Sequence, residues 1–376
     1  MPPVPGVALG TAAAGLRYQG RDDLLLVRLA PGSTVAAMFT RNAFAAAPVL
    51  LAREHLARAR PRLLLVNAGQ ANAGLGERGL ADARACCAAA AALEGLRPEE
   101  VLPYSTGVIG EPLPVERLVA ALPRAREALR EEGWEAAARA ILTTDTRPKL
   151  ASRTVGSGSW RATLTGMVKG AGMIRPDMIR PEMAAAPLPG QGQARHATLL
   201  AFLATDAALA PELAAELLEE AVAGSFHCLT VDGDTSTNDA CTLVASGRAG
   251  PPPDADALAA LRRGLRRVCE ELARAVARDG EGATRLVTIE VGEARDEAEA
   301  RQVAFTVAHS PLVKTALFAA DPNWGRILAA VGRAGVEGLA VEGVRLYAGA
   351  GPEEVCLARG GARSPDYDEG RARAAL

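Results

Sequence analysis

The sequence has few aromatic residues, no long apolar run and almost no net charge. Phe, Trp and Tyr make up 3% of its 376 residues, and the net charge is -2. Nucleic-acid binding is therefore not indicated, because few rings are available for base stacking and no basic excess faces phosphate. No apolar run reaches the ~18 residues of a membrane span, and the start lacks the charged flank of a secretory signal. We expect a cytoplasmic protein with small polar partners.

Cysteine and histidine do not form metal-binding patterns. The six Cys lack metal-ligand spacing, and the four His stand apart in the sequence. Cys86 and Cys87 are adjacent on an Ala-rich segment, so on a helix they would project in different directions. We interpret the cysteines as packing residues of a reducing compartment, and we expect neither a metal nor a bound cofactor.

Lysine is scarce where arginine is abundant. Of the 42 Lys and Arg, only Lys149, Lys169 and Lys314 are lysines, which leaves 39 arginines. Arginine serves most surface roles, so a lysine that persists against this bias is a candidate for a role that needs a compact, titratable ammonium. At least one of the three is a candidate for substrate contact.

Strand-like and helix-like segments alternate irregularly, which predicts an α/β or α+β layered fold. Helices are indicated by an Ala-rich run that closes on Gly95, by a run that opens on Pro211, and by a long amphipathic run that ends before Gly280. Strands are indicated by "DLLLVRL", "STVAAMFT", "RLLLVNAG", "WRATLTGMV", "TLLAFLATDA", "FHCLTVDG", "CTLVASG", "RLVTIEVG" and "GVRLYAG". The Pro/Gly-rich segment from Arg175 to Arg195 is interpreted as an exposed loop.

Thr198 stands at the junction between this segment and an apolar run, in "ARHATLLAFL". It either opens a buried strand or becomes a new N-terminus after the Ala197–Thr198 peptide is cut. In the second case the hydroxyl is a nucleophile and the freed α-amino group is its base. The residues on their own leave both alternatives open.

Other short motifs carry candidate chemistry. "STGVIG" combines Thr106 and Gly107 in a turn whose donors would suit an oxyanion, or it is an ordinary strand end. Lys169 suits a substrate carboxylate and Glu281 suits a substrate amine, although each is also compatible with a solvated turn. "TVDGDTSTND" lacks the spacing of a calcium-binding loop, so Asx and Ser/Thr turns are expected there.

Taken in order, these motifs resemble the glutamate N-acetyltransferase family, the ornithine acetyltransferases of arginine biosynthesis. The resemblance runs from about Gly6 to about Gly349 and rests on "STGVIGEPLPVERL", "TTDTRPK", "GMVKGAGMI", "ATLLAFLATDA", "TVDGDTSTND", "DGEGAT" and "VKTALFAADPNWGRILAAVG". It implies an α-β-β-α layered fold, similar to N-terminal-nucleophile hydrolases but differently connected. It also implies self-cleavage into an α chain, 1–197, and a β chain, 198–376, that assemble as α2β2.

The resemblance also implies site residues and a reaction. Thr198 would be the nucleophile, and Thr106 and Gly107 would form the oxyanion hole. The substrate-contacting positions would be Thr143, Thr144, Lys169, Thr198 and Glu281. Acetyl would pass from N-acetylornithine to Thr198 and then to glutamate, and some members of the family also accept acetyl-CoA as the donor.

Two departures from the family pattern bear on these expectations. The segment between Lys169 and Thr198 is longer than in the family, so the two residues meet only if the extra residues bulge outward. The C-terminus, "YDEGRARAAL", places Arg371 and Leu376 where the family has substrate-binding Asn and Thr or Ser. The alternatives are an N-terminal-nucleophile amidase or aminopeptidase, which passes the acyl group to water, and a non-catalytic relative.

Overall fold

The computed structural model describes residues 1–183 and 198–376. These residues form two compact units, Met1–Gly282 and Ala283–Leu376. The boundary between the units differs from the predicted cleavage point at 197/198. The predicted α and β chains are therefore not the compact units, and the first unit contains residues of both.

The first unit contains two β-sheets. One sheet has the strand order β1-β2-β4-β5, and the other has the order β6-β7-β9-β10-β3-β8. β4 and β5 are parallel neighbours, and β9 and β10 are also parallel. The strands are β1 (Val7–Ala12), β2 (Leu24–Leu29), β3 (Thr34–Thr40), β4 (Leu63–Gln70), β5 (Val101–Val108), β6 (Lys149–Ser157), β7 (Trp160–Lys169), β8 (Met178–Ile179), β9 (Leu200–Thr205) and β10 (Ala240–Ala245).

The described residues of this unit form six α-helices. They are α1 (Ala47–Arg58), α2 (Gly76–Glu94), α3 (Val115–Glu127), α4 (Trp134–Ala140), α5 (Pro211–Ala223) and α6 (Ala255–Arg278). Local sequence explains several helix ends. α2 ends at Gly95, which adopts the left-handed conformation that glycine tolerates, and α5 begins with Pro211 in its first turn. The Asp254 side chain caps α6 by accepting a hydrogen bond from the Ala257 amide.

Three hydrophobic clusters define the layers. In the central cluster, residues of β2 and β4 pack against residues of β3 and β9, so the two sheets lie face to face. A second cluster joins the outer face of the first sheet to α2 and α3, and a third joins the outer face of the second sheet to α5 and α6. This arrangement confirms the predicted α-β-β-α order.

The second sheet interleaves strands from both sides of the predicted cleavage point. β9 and β10 follow residue 198, whereas their outer neighbours β7 and β3 precede it. β7 is antiparallel to β9, and β3 is antiparallel to β10. Backbone hydrogen bonds therefore join the two predicted chains on both sides of the β9–β10 pair.

Three of the local predictions were wrong. "FHCLTVDG" starts with a 3-10 turn at Phe226–Cys228 and continues as bends, and "RLVTIEVG" forms no strand. Apolar, β-branched runs fit a strand only when a neighbouring strand pairs with them. The segment from Arg175 to Arg195 is not wholly an exposed loop, because Met178 is buried in β8 and pairs with β3. Its residues from 184 onward lie outside the described part of the chain.

The second unit has its own small core. A three-stranded sheet of order β11-β12-β13 is accompanied by four helices. Its elements are α7 (Glu297–Ala308), α8 (Pro311–Phe318), α9 (Trp324–Gly332), β11 (Leu346–Ala348), β12 (Val355–Arg359), β13 (Ala362–Arg363) and α10 (Glu369–Ala374). In residues 1–183 and 198–376, no helix combines the length and apolarity needed to cross a membrane.

Candidate active site

Thr198 lies just before β9, with its side chain in the protein interior. The residue is 2% exposed, and its Oγ1 is 2.9 Å from the Oγ of Ser236. Thr198 therefore has a defined hydroxyl partner at the point where the buried strand begins. Ala197, the other half of the predicted cleavage site, lies outside the described residues.

The loop that carries Ser236 is fixed by its own turns and by a neighbouring asparagine. Asp234 donates its amide to Asp232 Oδ1, and Asn238 donates its amide to Ser236 Oγ over 3.1 Å. The Asn238 side chain donates to the carbonyl of Ser105, the residue before Thr106. The Asx and Ser/Thr turns predicted for this segment are confirmed, and they hold Ser236 against Thr198.

The Lys169 ammonium contacts three other predicted site positions. Lys169 ends β7 and is 0% exposed. Its Nζ donates hydrogen bonds to Thr143 Oγ1 over 2.7 Å, to Thr106 Oγ1 over 3.2 Å and to the backbone carbonyl of Thr198 over 3.0 Å. The three protons of an ammonium are thus matched by three acceptors.

The bond from Lys169 to Thr106 determines what the Thr106 hydroxyl can do. Because Thr106 Oγ1 accepts the ammonium proton, the hydroxyl proton of Thr106 is directed to another acceptor. A hydroxyl that is polarised by a neighbouring cation is a strong donor to developing negative charge. This geometry suits an oxyanion hole.

Gly107 follows Thr106 in β5 at a place where no side chain fits. It pairs in register with Gly69 of β4, and its φ is +132°. A Cβ at Gly107 would lie 2.2 Å from the carbonyl carbon of Gly69. Thr106 and Gly107 therefore lie near the end of a strand and not in the predicted turn, and glycine is required at position 107 by close backbone approach.

A buried ionic network lies behind Lys169. Asp145 Oδ2 is 3.6 Å from Lys169 Nζ, and Asp145 Oδ1 is 2.6 Å from Lys149 Nζ. Lys149 also contacts Asp279 Oδ2 at 2.6 Å. Burial opposes ionisation of Asp145, but the two ammonium groups outweigh it and lower the pKa of Asp145 to about 2. Burial lowers the pKa of Lys169, and the Asp145 charge opposes that change.

Asp239 is a second buried carboxylate close to the candidate nucleophile. Its Oδ1 accepts the amide proton of Leu199 over 2.9 Å, directly after Thr198. Its Oδ2 is buried and finds no hydrogen-bond partner within the described residues. Burial raises the pKa of Asp239 to about 7.

Thr144 and Glu281 are placed differently from the other predicted positions. Thr144 is exposed, and it is not among the groups that accept hydrogen bonds from Lys169 in the described structure. The Glu281 carboxylate lies against Gly172, where a Cβ would be 2.7 Å from it, and the Glu281 amide donates to the Ala171 carbonyl. Glu281 is thus fixed to the loop after Lys169 without contacting the ammonium.

The long segment between Lys169 and Thr198 does not keep them apart. Lys169 pairs with Leu200 in the β7–β9 register, and the hydrogen bond to Thr198 follows from this pairing. Of the two alternatives that the sequence left open, the structure shows the one in which Lys169 and Thr198 meet.

Sequence reasoning missed three polar residues that surround this site. Asp145 stands within "TTDTRPK" but was given no role of its own, and Ser236 and Asp239 were interpreted as parts of a structural turn. The presence of Lys149 four residues after Asp145 was the available signal for a paired charge. In the described ranges, no group of three or more His, Cys, Asp or Glu is arranged to hold a metal, and the metal-free site stays a prediction.

Comparison with known proteins identifies the family. A family model described as the ArgJ family matches residues 8–376. A curated relative from Methylococcus capsulatus, named arginine biosynthesis bifunctional protein ArgJ, is 54% identical over 372 residues, which cover 98% of this chain and 86% of the relative. The protein of the same name from Pseudomonas fluorescens is 48% identical over 378 residues, 100% of this chain and 88% of the relative.

Two solved structures are similar over part of the chain. The ornithine acetyltransferase of Mycobacterium tuberculosis, described as complexed with ornithine, is 35% identical with a TM-score of 0.43, and the match covers 47% of this chain and 94% of that one. The ArgJ protein of Bacillus halodurans is 32% identical with a TM-score of 0.43, covering 47% and 92%. On the family match and the two curated relatives, the chain belongs to the ArgJ family of arginine biosynthesis.

Proposed function

We propose that this protein is a self-processing acetyltransferase that moves an acetyl group from N-acetylornithine to glutamate through an acetyl ester on Thr198. As a member of the ArgJ family, the chain is an acyltransferase of arginine biosynthesis. The observation that carries the proposal is the Lys169 ammonium, which joins the Thr198 carbonyl to the hydroxyls of Thr106 and Thr143. A nucleophile, an oxyanion donor and a cation thus share one buried centre.

Self-cleavage comes first in this mechanism. The Thr198 hydroxyl attacks the carbonyl of Ala197 and displaces the peptide nitrogen, which gives an ester that water then opens. The products are an α chain, 1–197, and a β chain, 198–376, whose new α-amino group lies beside the hydroxyl. Interleaving of β9 and β10 between β7 and β3 supports two chains that stay together after the cut.

Acetyl transfer then uses the α-amino group as a base. The amine takes the Thr198 hydroxyl proton while the oxygen attacks the acetyl carbonyl of N-acetylornithine. Negative charge forms on the carbonyl oxygen, where the Thr106 hydroxyl and the Gly107 amide would stabilise it. Collapse of this intermediate expels ornithine with the proton that the amine had taken. The amine of glutamate then attacks the acetyl ester, and N-acetylglutamate leaves.

Substrate recognition is assigned by charge. The three protons of Lys169 are bound within the protein, so this residue favours a substrate carboxylate through its charge alone. Glu281 attracts a substrate amine, with Thr143 and Thr144 as neighbouring hydroxyls. We keep acetyl-CoA as an alternative acetyl donor, and we assign no bound cofactor. We also propose that the two chains assemble as α2β2 in the cytoplasm.

The experiment measures where the acetyl group goes. Purified protein is incubated with N-acetylornithine carrying a labelled acetyl group, with and without glutamate, and labelled N-acetylglutamate and acetate are quantified. The proposal predicts that N-acetylglutamate dominates when glutamate is present. Acetate as the main product at every glutamate concentration would support an amidase, and no product at all would support a non-catalytic relative.

A further inference from the structure

Two of the three lysines in this arginine-rich chain are buried around one carboxylate. Lys149 is 2% exposed and Lys169 is 0% exposed, and the side chain of Asp145 between them is fully buried. Burial of two cations and one anion is unfavourable unless the groups are paired and hydrogen-bonded. The compact ammonium fits this space where the planar guanidinium of arginine needs more room.

Asp145 is held in place by more than the two ammonium groups. Its Oδ1 accepts the amide proton of Gly170 over 2.6 Å, and its Oδ2 accepts the amide proton of Thr143 over 3.3 Å. Gly170 follows Lys169 in the chain, and Thr143 is itself an acceptor for the Lys169 ammonium. The carboxylate therefore fixes both the backbone after Lys169 and one of its side-chain partners.

Lys169 can donate all three of its hydrogen bonds only when its side-chain amine is protonated. An ammonium has three protons for the three acceptors, whereas a neutral amine has two. Three charged groups surround Lys169. They are Asp145 before β6, Lys149 at the start of β6 and Asp239 just before β10. Lys149 is paired with Asp279, and burial raises the pKa of Asp239 to about 7. At neutral pH, Asp145 is thus the carboxylate that carries a full charge beside Lys169.

We propose that Asp145 is a positioning residue that keeps Lys169 protonated and, through Lys169, directs the Thr106 hydroxyl at the reacting carbonyl. Asp145 touches no reacting atom in this scheme, and its 3.6 Å separation from Lys169 Nζ makes its effect one of charge. The role in acetyl transfer rests on the proposed function. The effect on the charge of Lys169 does not, and the two are tested separately.

The first test titrates the lysines directly. Because the chain has three lysines, selective labelling of the lysine side chains gives three NMR signals, which Lys149→Met and Lys314→Arg assign. Asp145→Asn is compared with Asp279→Asn, a matched change that removes a partner of Lys149 but no contact of Lys169. We expect the midpoint of Lys169 to fall by about one pH unit or more in Asp145→Asn and to stay unchanged in Asp279→Asn. An unchanged midpoint in Asp145→Asn, or equal shifts in both variants, would overturn the proposal.

The second test follows acetyl transfer against pH. If Lys169 acts while protonated, kcat/KM falls as the pH rises through the pKa of Lys169. A lower pKa of Lys169 therefore moves this fall to a lower pH. Asp145→Asn should therefore show this shift, and at pH values above both midpoints it should lose about tenfold in kcat/KM for each pH unit of the shift, since one pKa unit is a factor of ten. In Asp279→Asn, kcat/KM should fall at the same alkaline pH as in the parent. A uniform loss at all pH values with Lys169 titrating normally would assign Asp145 a purely structural role and refute the proposal.

A charge-conserving variant keeps the proposal falsifiable if Asp145→Asn does not fold. Asp145→Glu retains the carboxylate, so Lys169 should titrate within a few tenths of a pH unit of the parent, and a fall as large as one unit would count against the proposal. If the parent enzyme transfers no acetyl group, the proposed function fails, while the NMR titration still decides whether Asp145 controls Lys169.

Discussion

The Lys169 ammonium donates a hydrogen bond to the backbone carbonyl of Thr198 over 3.0 Å, although 29 residues separate the two in sequence. Both residues are buried, so water does not compete for this bond. The bond attaches the end of β7 to Thr198, two residues before β9. The cation and the candidate nucleophile are thus positioned by the sheet itself rather than by a mobile loop.

The adjacent residues Thr143 and Thr144 give a matched pair of variants. Thr143 accepts a 2.7 Å hydrogen bond from Lys169, whereas Thr144 is exposed. Thr143→Val leaves one ammonium proton without its acceptor, so we expect kcat/KM for N-acetylornithine to fall roughly tenfold or more. Thr144→Val should have a smaller effect. Steady-state kinetics of the two variants measures both losses. A loss in Thr144→Val that equals or exceeds the loss in Thr143→Val would contradict the assignment of Thr143 as the more important residue.

Gly107→Ala should destabilise the protein by about 3 kcal/mol or more. The new Cβ would meet the Gly69 backbone at 2.2 Å, and backbone atoms in paired strands cannot move aside. Gly110→Ala is the matched control, because its φ is also positive, at +83°, but no atom lies within 4 Å of a Cβ there. That variant should lose only about 1 kcal/mol. Urea unfolding compares the two, and similar losses would show that φ rather than close approach is decisive.

The buried carboxyl group of Asp239 should make the stability of the folded protein depend on pH. Burial raises its pKa to about 7 in the folded protein, against about 3.9 in an unfolded chain. Between these values the folded state binds more protons, so the free energy of unfolding falls as pH rises, by up to about 1.4 kcal/mol per pH unit. Asp239→Asn cannot ionise and lacks this contribution. Relative to the parent, the variant should gain stability between about pH 4 and about pH 7. Urea unfolding at several pH values checks this, and a difference in unfolding free energy that stays constant across the window would contradict the assignment.

Substitutions at Thr198 test the role of its hydroxyl group without changing the rest of the site. Thr198→Ala has no nucleophile, so it should remain a single chain and lose at least roughly 1000-fold in acetyl transfer. Thr198→Ser keeps a hydroxyl and should still be cut and retain measurable transfer. Electrophoresis and activity assays report both properties. An uncut Thr198→Ser protein together with a fully active Thr198→Ala protein would remove Thr198 from the mechanism.

Much of the fold follows from local sequence signals. The Gly95 and Pro211 helix boundaries, the buried strands β4 and β9, and the capped helix α6 all match patterns that depend on neighbouring residues. "RLVTIEVG" shows the limit of such signals, because strand formation depends on a partner elsewhere in the chain.

The site is harder to predict because it is assembled across both sheets. The scarcity of lysine drew attention to Lys169, but its contacts with Thr106 and Thr143 depend on how β5 and β7 come together. Asp145 and Asp239 were missed for the same reason. A carboxylate in a turn is usually solvated, and only tertiary packing buries these two beside Lys169 and Thr198.

The most direct test of the central claim locates the acetyl group on the protein. The enzyme is mixed with N-acetylornithine in the absence of glutamate, quenched in acid, and its chains and peptides are weighed by mass spectrometry. The account predicts two chains, the second beginning at Thr198, with one acetyl group on the Thr198 side chain that glutamate removes. An unbroken chain in an enzyme that transfers acetyl, or an acetyl group that remains on another residue, would contradict it.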